Sequence, residues 1–325
     1  MGLNFSYIRT LTYLYGCVMQ LDYNKIDSEL LPALESFPAL ELNRENIAQM
    51  RELLNSQPSP PSAVDVRSEK VSIASGDAEI DLYIYKSSDR DNQPGVLWIH
   101  GGGFLIGNAD DERARVIADH CDCTVFSVEY RLAPEHPFPA GPNDCYAALR
   151  WMVSNAESLG IDVSNIVIGG ASAGSGMAAG VALMNRDQDN IPLRLQLLLY
   201  PMIDNLHATD SGQLENHPVW KQQTSFNAWE MYLDGSPGED ASPYAAASRA
   251  KDLSGLPPTY ICVGSEDLFR DEDIAYAQRL IAADVPTELS VFPGVYHAAE
   301  SFVPEAKVSQ RLTQSFLRAL KDAQQ

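Results

Sequence analysis

Ile166-Val167-Ile168-Gly169-Gly170-Ala171-Ser172-Ala173-Gly174-Ser175-Gly176 runs from a short apolar strand through a glycine-rich turn into a helical stretch. Within it, Gly170 to Gly174 fits G-x-S-x-G, and in a strand–turn–helix setting that spacing puts the serine hydroxyl on a turn tight enough to need glycine on both sides. The helix that follows adds backbone N–H donors and positive potential behind the hydroxyl. The same residues also fit a plain glycine-rich crossover. Gly174-Ser175-Gly176-Met177-Ala178-Ala179 further matches G-x-G-x-x-A, the dinucleotide fingerprint. A phosphate loop needs its first glycine at the strand-to-helix turn, whereas Gly174 is already several residues into turn and helix. The serine reading is therefore preferred.

Outward from this stretch the chain alternates. Val96–Ile99, Thr124–Val128, Ile166–Ile168, Leu195–Tyr200, Thr259–Val263 and Glu288–Phe292 read as strands. Asp111–His120, Asp144–Asn155, Ala173–Asn185, Asp271–Ala283 and Ala306–Ala323 read as the helices between and after them. Strands apolar throughout and joined by helices predict an α/β fold, a mostly parallel sheet with helices on both faces. Alternation in Val71–Ala74 and Glu79–Tyr85 around Ser75-Gly76-Asp77 predicts a hairpin before the first of these strands. Residues 1–60 form a separate segment: Phe5, Ile8, Leu11, Tyr15 and Val18 recur at helical spacing, patchier helix signals follow from Leu30 to Leu54, and Gln57-Pro58-Ser59-Pro60-Pro61-Ser62 reads as a stiff linker. Residues 61–325 form the main body. One insertion, at about 204–240, carries Trp220, Phe226, Trp229, Met231 and Tyr232 on a helical stretch over the C-terminal edge of the sheet.

Composition narrows the partners. The chain has 325 residues and a formal charge of −21, with 45% hydrophobic residues, so a large core is available and global disorder is excluded. So acidic a body repels nucleic acid and anionic lipid unless a basic cluster intervenes, and no run of five Lys and Arg is present. Five cysteines, Cys17, Cys121, Cys123, Cys145 and Cys262, are an odd and scattered set that predicts buried thiols in a reducing, cytoplasmic setting rather than disulfides or a metal site. The apolar stretch Tyr7–Leu21 is interrupted by Arg9 and lacks a cleavage site, so a signal peptide is not expected. Met1-Gly2-Leu3-Asn4-Phe5-Ser6 fits a myristoylation pattern, but without a polybasic second signal no stable membrane anchor is expected.

In an open α/β sheet ligands sit beyond the carboxyl ends of the strands. Two further loops there carry chemistry. His100-Gly101-Gly102-Gly103-Phe104 follows Val96–Ile99, and its glycines let backbone N–H groups approach a substrate oxygen. H-G-G-G beside a separate G-x-S-x-G is the arrangement of an oxyanion hole, completed by the amide of Ala173, with His100 fixing the loop rather than carrying protons. A serine nucleophile needs a base and a carboxylate to orient it, in the chain order Ser, Asp or Glu, His. Asp267 lies in the loop after Thr259–Val263, while Asp271, Glu272 and Asp273 open the next helix, where capping and the helix dipole account for them. His297, in the loop after the last strand, is the histidine of six that follows both Ser172 and Asp267 at a strand end. His207 and His217 lie in the insertion, before Asp267; His120 ends a helix and His136 lies between prolines.

Taken together, His100 to Gly103, the run Tyr130-Arg131-Leu132-Ala133-Pro134-Glu135-His136-Pro137-Phe138-Pro139-Ala140, the serine turn, Asp267-Leu268-Phe269-Arg270-Asp271-Glu272 and His297 resemble the bacterial hormone-sensitive-lipase-like esterases of the α/β-hydrolase superfamily. The likeness runs from about Val71 to the C-terminus. It implies a Ser172–His297–Asp267 triad, an oxyanion hole from Gly102, Gly103 and Ala173, and no cofactor. It further implies a helical cap built from the N-terminal segment and the insertion. The Tyr130 to Ala140 run carries over as scaffold, and an edge-strand homodimer is an expectation of the resemblance alone. The expected activity is hydrolysis of short- to medium-chain acyl esters, the substrate being a small molecule. An amidase or peptidase with the same triad and a non-catalytic ligand receptor on this fold are the alternatives. Family members often place Asp or Thr before the serine and Gly-Phe after the histidine. Here Ala171 and the pair Ala298-Ala299 stand in those places, and loss of the aromatic is expected to open or reshape the pocket. Acids beside the site, at Glu266, Asp271, Glu272 and Asp273, are expected to disfavour anionic substrates modestly.

Overall fold

In the computed structural model, residues 20–36, 41–56 and 62–325 are described. The expectations for Cys17, for the Phe5 to Val18 periodicity, for the myristoylation match and for most of the Gln57–Ser62 linker lie outside these residues. No helix among the described residues is long and apolar enough to cross a membrane.

Eight strands form one sheet: β1 (Arg67–Ser75), β2 (Ala78–Lys86), β3 (Gln93–Ile99), β4 (Thr124–Glu129), β5 (Ile161–Ala171), β6 (Leu195–Leu199), β7 (Thr259–Gly264) and β8 (Thr287–Phe292). Their order is β1-β2-β4-β3-β5-β6-β7-β8. β1 and β2 make the expected hairpin across Gly76-Asp77, and β2 runs antiparallel to β4. From β4 to β8 every pairing is parallel. The six apolar runs read from the sequence all lie in this parallel part. β3 and β6 are buried along their whole length, as strands covered on both faces must be.

Ten helices are described: α1 (Leu31–Ser36), α2 (Ile47–Ser56), α3 (Glu112–Cys121), α4 (Ala140–Ser154), α5 (Ala156–Leu159), α6 (Ala173–Asp187), α7 (Gln222–Leu233), α8 (Arg270–Ala282), α9 (Ala299–Phe302) and α10 (Lys307–Ala323). α4 begins four residues before the expected Asp144. Pro142 fits there because a first helical turn needs no N–H at that position. Asp144 is instead a fully buried acceptor for the Arg131 guanidinium at 2.8 Å, the Arg131 amide at 3.0 Å and the Ser75 hydroxyl at 2.6 Å. Such a carboxylate is retained only when its oxygens are satisfied, and these bonds tie the loop after β4 to the hairpin.

The described N-terminal residues pack on the insertion. The Leu21 amide donates to Asn216 Oδ1 at 2.6 Å, the Asn227 side chain to the Leu42 carbonyl at 2.9 Å, and Lys221 pairs with Glu41 at 2.6 Å. Arg51 on α2 reaches further, donating to the Leu105 carbonyl at 2.7 Å and to the Ala133 carbonyl at 2.5 Å while pairing with Glu135. The four described cysteines are buried free thiols, and desolvation pushes Cys123, Cys145 and Cys262 well above the ordinary thiol range.

Candidate active site

Ser172 follows the last residue of β5 and precedes α6 with φ 56° and ψ −122°, a backbone conformation that a residue with a β-carbon rarely adopts. The turn is held on three sides. The Ser172 amide donates to the Leu199 carbonyl at 2.9 Å, and its own carbonyl accepts from Gly176 at 3.0 Å and Met202 at 3.1 Å. The flanking glycines serve close approach: a β-carbon on Gly170 would stand 2.5 Å from the Ile99 carbonyl oxygen, and one on Gly174 2.1 Å from the same atom. The dinucleotide reading of Gly174 and Gly176 fails on the same ground. Gly176 faces the Met202 carbonyl, with 2.0 Å for a would-be β-carbon, so both glycines abut protein backbone instead of opening a phosphate cradle.

The structure brings Ser172, His297 and Asp267 together. Ser172 Oγ lies 2.9 Å from His297 Nε2, and His297 Nδ1 lies 2.9 Å from Asp267 Oδ2. The other Asp267 oxygen accepts the Phe269 amide at 3.0 Å. An ionised carboxylate only accepts, so Asp267 assigns the proton to Nδ1 and leaves Nε2 free to take one from the serine. The three side chains are buried, with Ser172 7% exposed and Asp267 fully enclosed. Tyr200 and Phe269 brace the imidazole edge-on, with ring centroids 5.0 and 5.1 Å away.

Gly101 to Gly103 lie against this turn. A β-carbon on Gly101 would stand 2.9 Å from the Ala171 carbonyl oxygen, and the Gly102 carbonyl closes a tight turn by accepting from Leu105 and Ile106. Gly102 and Gly103 have φ of 111° and 60°. Ala173 is the first residue of α6, so its N–H has no acceptor within the helix. His100 is buried and stacked on Tyr130 at 4.3 Å, its Nδ1 is 2.8 Å from the Gly101 carbonyl, and the Tyr130 hydroxyl donates to the His100 carbonyl at 3.0 Å. Burial pushes His100 down to about 4, keeping it neutral. Tyr130, read only as scaffold, thus touches the loop-fixing histidine; its signal lay in the family run and in no residue pattern.

Of the insertion's large apolar side chains, Trp220 meets the site: its Cη2 would lie 2.3 Å from a β-carbon on Gly103. Trp229 and Tyr232 pack on Phe104, with centroids at 5.0 and 3.9 Å, and Phe226 is 42% exposed. His217 is buried in the turn before Trp220, its Nδ1 accepting the Val219 and Trp220 amides at 3.2 Å, and burial lowers it to about 4. Ala298 takes a left-handed φ of 57°, and Ala299 is fully buried, so the space beside the smaller residue is closed rather than opened.

A serine on a strained turn, hydrogen-bonded through histidine to aspartate beside a glycine loop, is an arrangement that can activate a hydroxyl for attack on a carbonyl. Residues 96–301 match the family model described as alpha/beta hydrolase fold. The chain is 36% identical to carboxylesterase NlhH of Mycobacterium tuberculosis over 311 residues, 92% of this chain and 96% of that one. It is 33% identical to esterase LipI of the same organism, over 91% and 94% of the two chains. Among solved structures, a bacterial heroin esterase superposes with a TM-score of 0.87 at 38% identity, covering 93% of this chain and 99% of the other. The chain therefore belongs to the hormone-sensitive-lipase-like esterases of the α/β-hydrolase fold. It is an enzyme, a serine hydrolase of carboxylic esters.

The acids after β7 depart from the expectation. Asp271 accepts the Ser211 amide at 2.9 Å and pairs with Arg270. Glu272 and Asp273 are buried rather than capping an exposed helix end. Glu272 Oε1 accepts the Ile203 and Asp204 amides at 3.0 and 3.1 Å, and neither Asp273 oxygen has a partner among the described residues. Desolvation, then neighbouring carboxylates, raises both well above the usual range. For a carboxyl whose folded pKa is raised, the unfolded chain releases its proton first, and stability falls as pH rises above about 4. Asparagine does not titrate. We predict that Asp273→Asn melts above the parent at pH 8 and that the gap narrows towards pH 4; a gap constant across that range in thermal melts contradicts it.

Proposed function

We propose that Ser172, His297 and Asp267 hydrolyse short- to medium-chain acyl esters through an acyl-enzyme. The observation that carries this reading is the continuous chain of two 2.9 Å hydrogen bonds from the serine hydroxyl through imidazole to a buried carboxylate. Ser172 Oγ attacks the ester carbonyl as His297 Nε2 takes its proton, and the carbonyl oxygen gains negative charge. The amides of Gly102, Gly103 and Ala173 stabilise that oxyanion. As the intermediate collapses, His297 protonates the leaving alcohol, and Asp267 stabilises the transient imidazolium without accepting its proton. Water then attacks the acyl-enzyme by the same proton path, releasing the acid and restoring the serine. Acyl transfer through this constellation needs no cofactor.

The N-terminal residues 1–60 and the insertion at about 204–240 act as a cap over the site, a role supported by the bonds between their described parts. Trp220 against Gly103 supports a limited acyl space. The net charge of −21 favours a neutral substrate over an anionic one. Buried free thiols support a reducing, cytoplasmic setting.

Ser172→Ala is expected to lower kcat on a short p-nitrophenyl ester by a factor on the order of 10⁶, with an unchanged melting temperature; turnover near that of the parent contradicts the assignment. A p-nitrophenyl ester panel from acetate to laurate is expected to peak at short or medium chains. A maximum at laurate contradicts the acyl preference while leaving the triad standing.

A further inference from the structure

His297 is held from one side by Asp267, and the chain leaves it through a strained residue. Ala298 has φ 57° and ψ 25°, the left-handed region that glycine occupies freely and alanine does not. Such a conformation persists only where the surroundings over-determine it. On the far side of Ala298, α9 begins at once, and Glu300 in it is 6% exposed.

Glu300 is the centre of a dense set of contacts. Its Oε1 accepts from Arg113 Nε at 3.1 Å and from the Tyr200 hydroxyl at 2.5 Å. Arg113 Nη2 also donates to the Tyr200 hydroxyl at 2.9 Å and to the Ser301 hydroxyl. Arg113 is itself fixed by Asp111, whose Oδ1 accepts the Arg113 amide at 2.9 Å while Oδ2 accepts the Trp98 indole N–H at 2.9 Å. The set therefore ties α9 to α3 and to β3. Tyr200 closes the circle. Its ring braces His297 at 5.0 Å, and Leu199 just before it supplies the carbonyl that holds the Ser172 amide.

We infer that Arg113 and Glu300 are positioning residues for His297: their largely buried ion pair anchors the chain beyond Ala298 and holds that alanine left-handed, which fixes the imidazole against Ser172. Glycine at 298 would hold the same backbone without strain, so a chain carrying alanine there depends on the clamp. With the clamp released, Ala298 relaxes towards negative φ and His297 swings away from the serine. Neither member of the pair hydrogen-bonds Ser172, His297 or Asp267, so its loss is expected to act through the placement of His297, on the chemical step rather than on binding.

This inference rests on His297 being the base, and a double-mutant cycle separates the two. Glu300→Gln and Arg113→Met are each made in the parent and in Ala298→Gly, and kcat and KM are measured on a short p-nitrophenyl ester. Either change in the parent is expected to lower kcat on the order of tenfold with KM little altered. In the glycine background the same change is expected to cost markedly less, because the left-handed turn no longer needs holding. Equal losses in the two backgrounds, or no loss from Glu300→Gln in the parent, overturn the inference. Glu300→Gln keeps the shape of the side chain and carries the test alone if Arg113→Met does not fold. His297→Ala keeps the readings distinct: retained turnover sinks the base assignment itself, whereas an inactive His297→Ala beside an additive cycle sinks only the clamp.

Discussion

The close approach of two backbones at the end of the central strands governs the rest of this molecule. Gly170 and Gly174 allow the serine turn to press on the carbonyl of Ile99, and the Leu199 carbonyl receives the Ser172 amide from the other side. β3, β5 and β6 are therefore locked together where Ser172 stands. The unusual φ of Ser172 persists because three backbone hydrogen bonds and the fully buried strands β3 and β6 over-determine it. The His100 to Gly103 loop leaves β3 at this point, so it inherits its position from the same contact. The remaining parts arrive from β7 and β8, whose parallel pairing carries Asp267 and His297 to the same edge.

The backbone hold on Ser172 contrasts with the way His297 is placed. Ser172 is fixed by backbone, whereas His297 relies on side chains: Asp267 at Nδ1, Tyr200 and Phe269 around the ring, and the Arg113–Glu300 pair beyond Ala298. The Gly101 to Gly103 loop is supported in a third way, by His100 stacked on Tyr130 and by Arg51 reaching in from the N-terminal segment. A neutral, buried His100 suits that task, since burial disfavours the charged imidazole.

Much of this was legible in the sequence because the signals were local. The six apolar runs became parallel strands, and the three motif loops fell at their carboxyl ends because strand, turn and helix periodicities are read over a few residues. Less local features were not. Asp144 looked like a helix start and is a buried acceptor for Arg131 and Ser75, a pairing set by tertiary contact alone. Glu272 and Asp273 looked like capping acids at a helix N-terminus, yet both are buried, and Glu272 instead accepts amides of the loop after β6. Trp229 and Tyr232, read only as part of a helical stretch over the sheet, pack on Phe104, a contact that the local pattern does not contain. Arg113 and Glu300, 187 positions apart, gave no pattern at all. The aromatic position after the histidine illustrates the limit of motif reading, because Ala299 is enclosed by neighbours that the motif does not contain.

The central claim is that Ser172 is the activated nucleophile. Its most direct test is reaction of the parent protein with a fluorophosphonate, in which the serine oxygen bonds to phosphorus, fluoride leaves, and His297 takes the hydroxyl proton. Peptide mapping by mass spectrometry is predicted to find one adduct per chain, on Ser172. An unmodified Ser172, with the adduct elsewhere or absent, would contradict it.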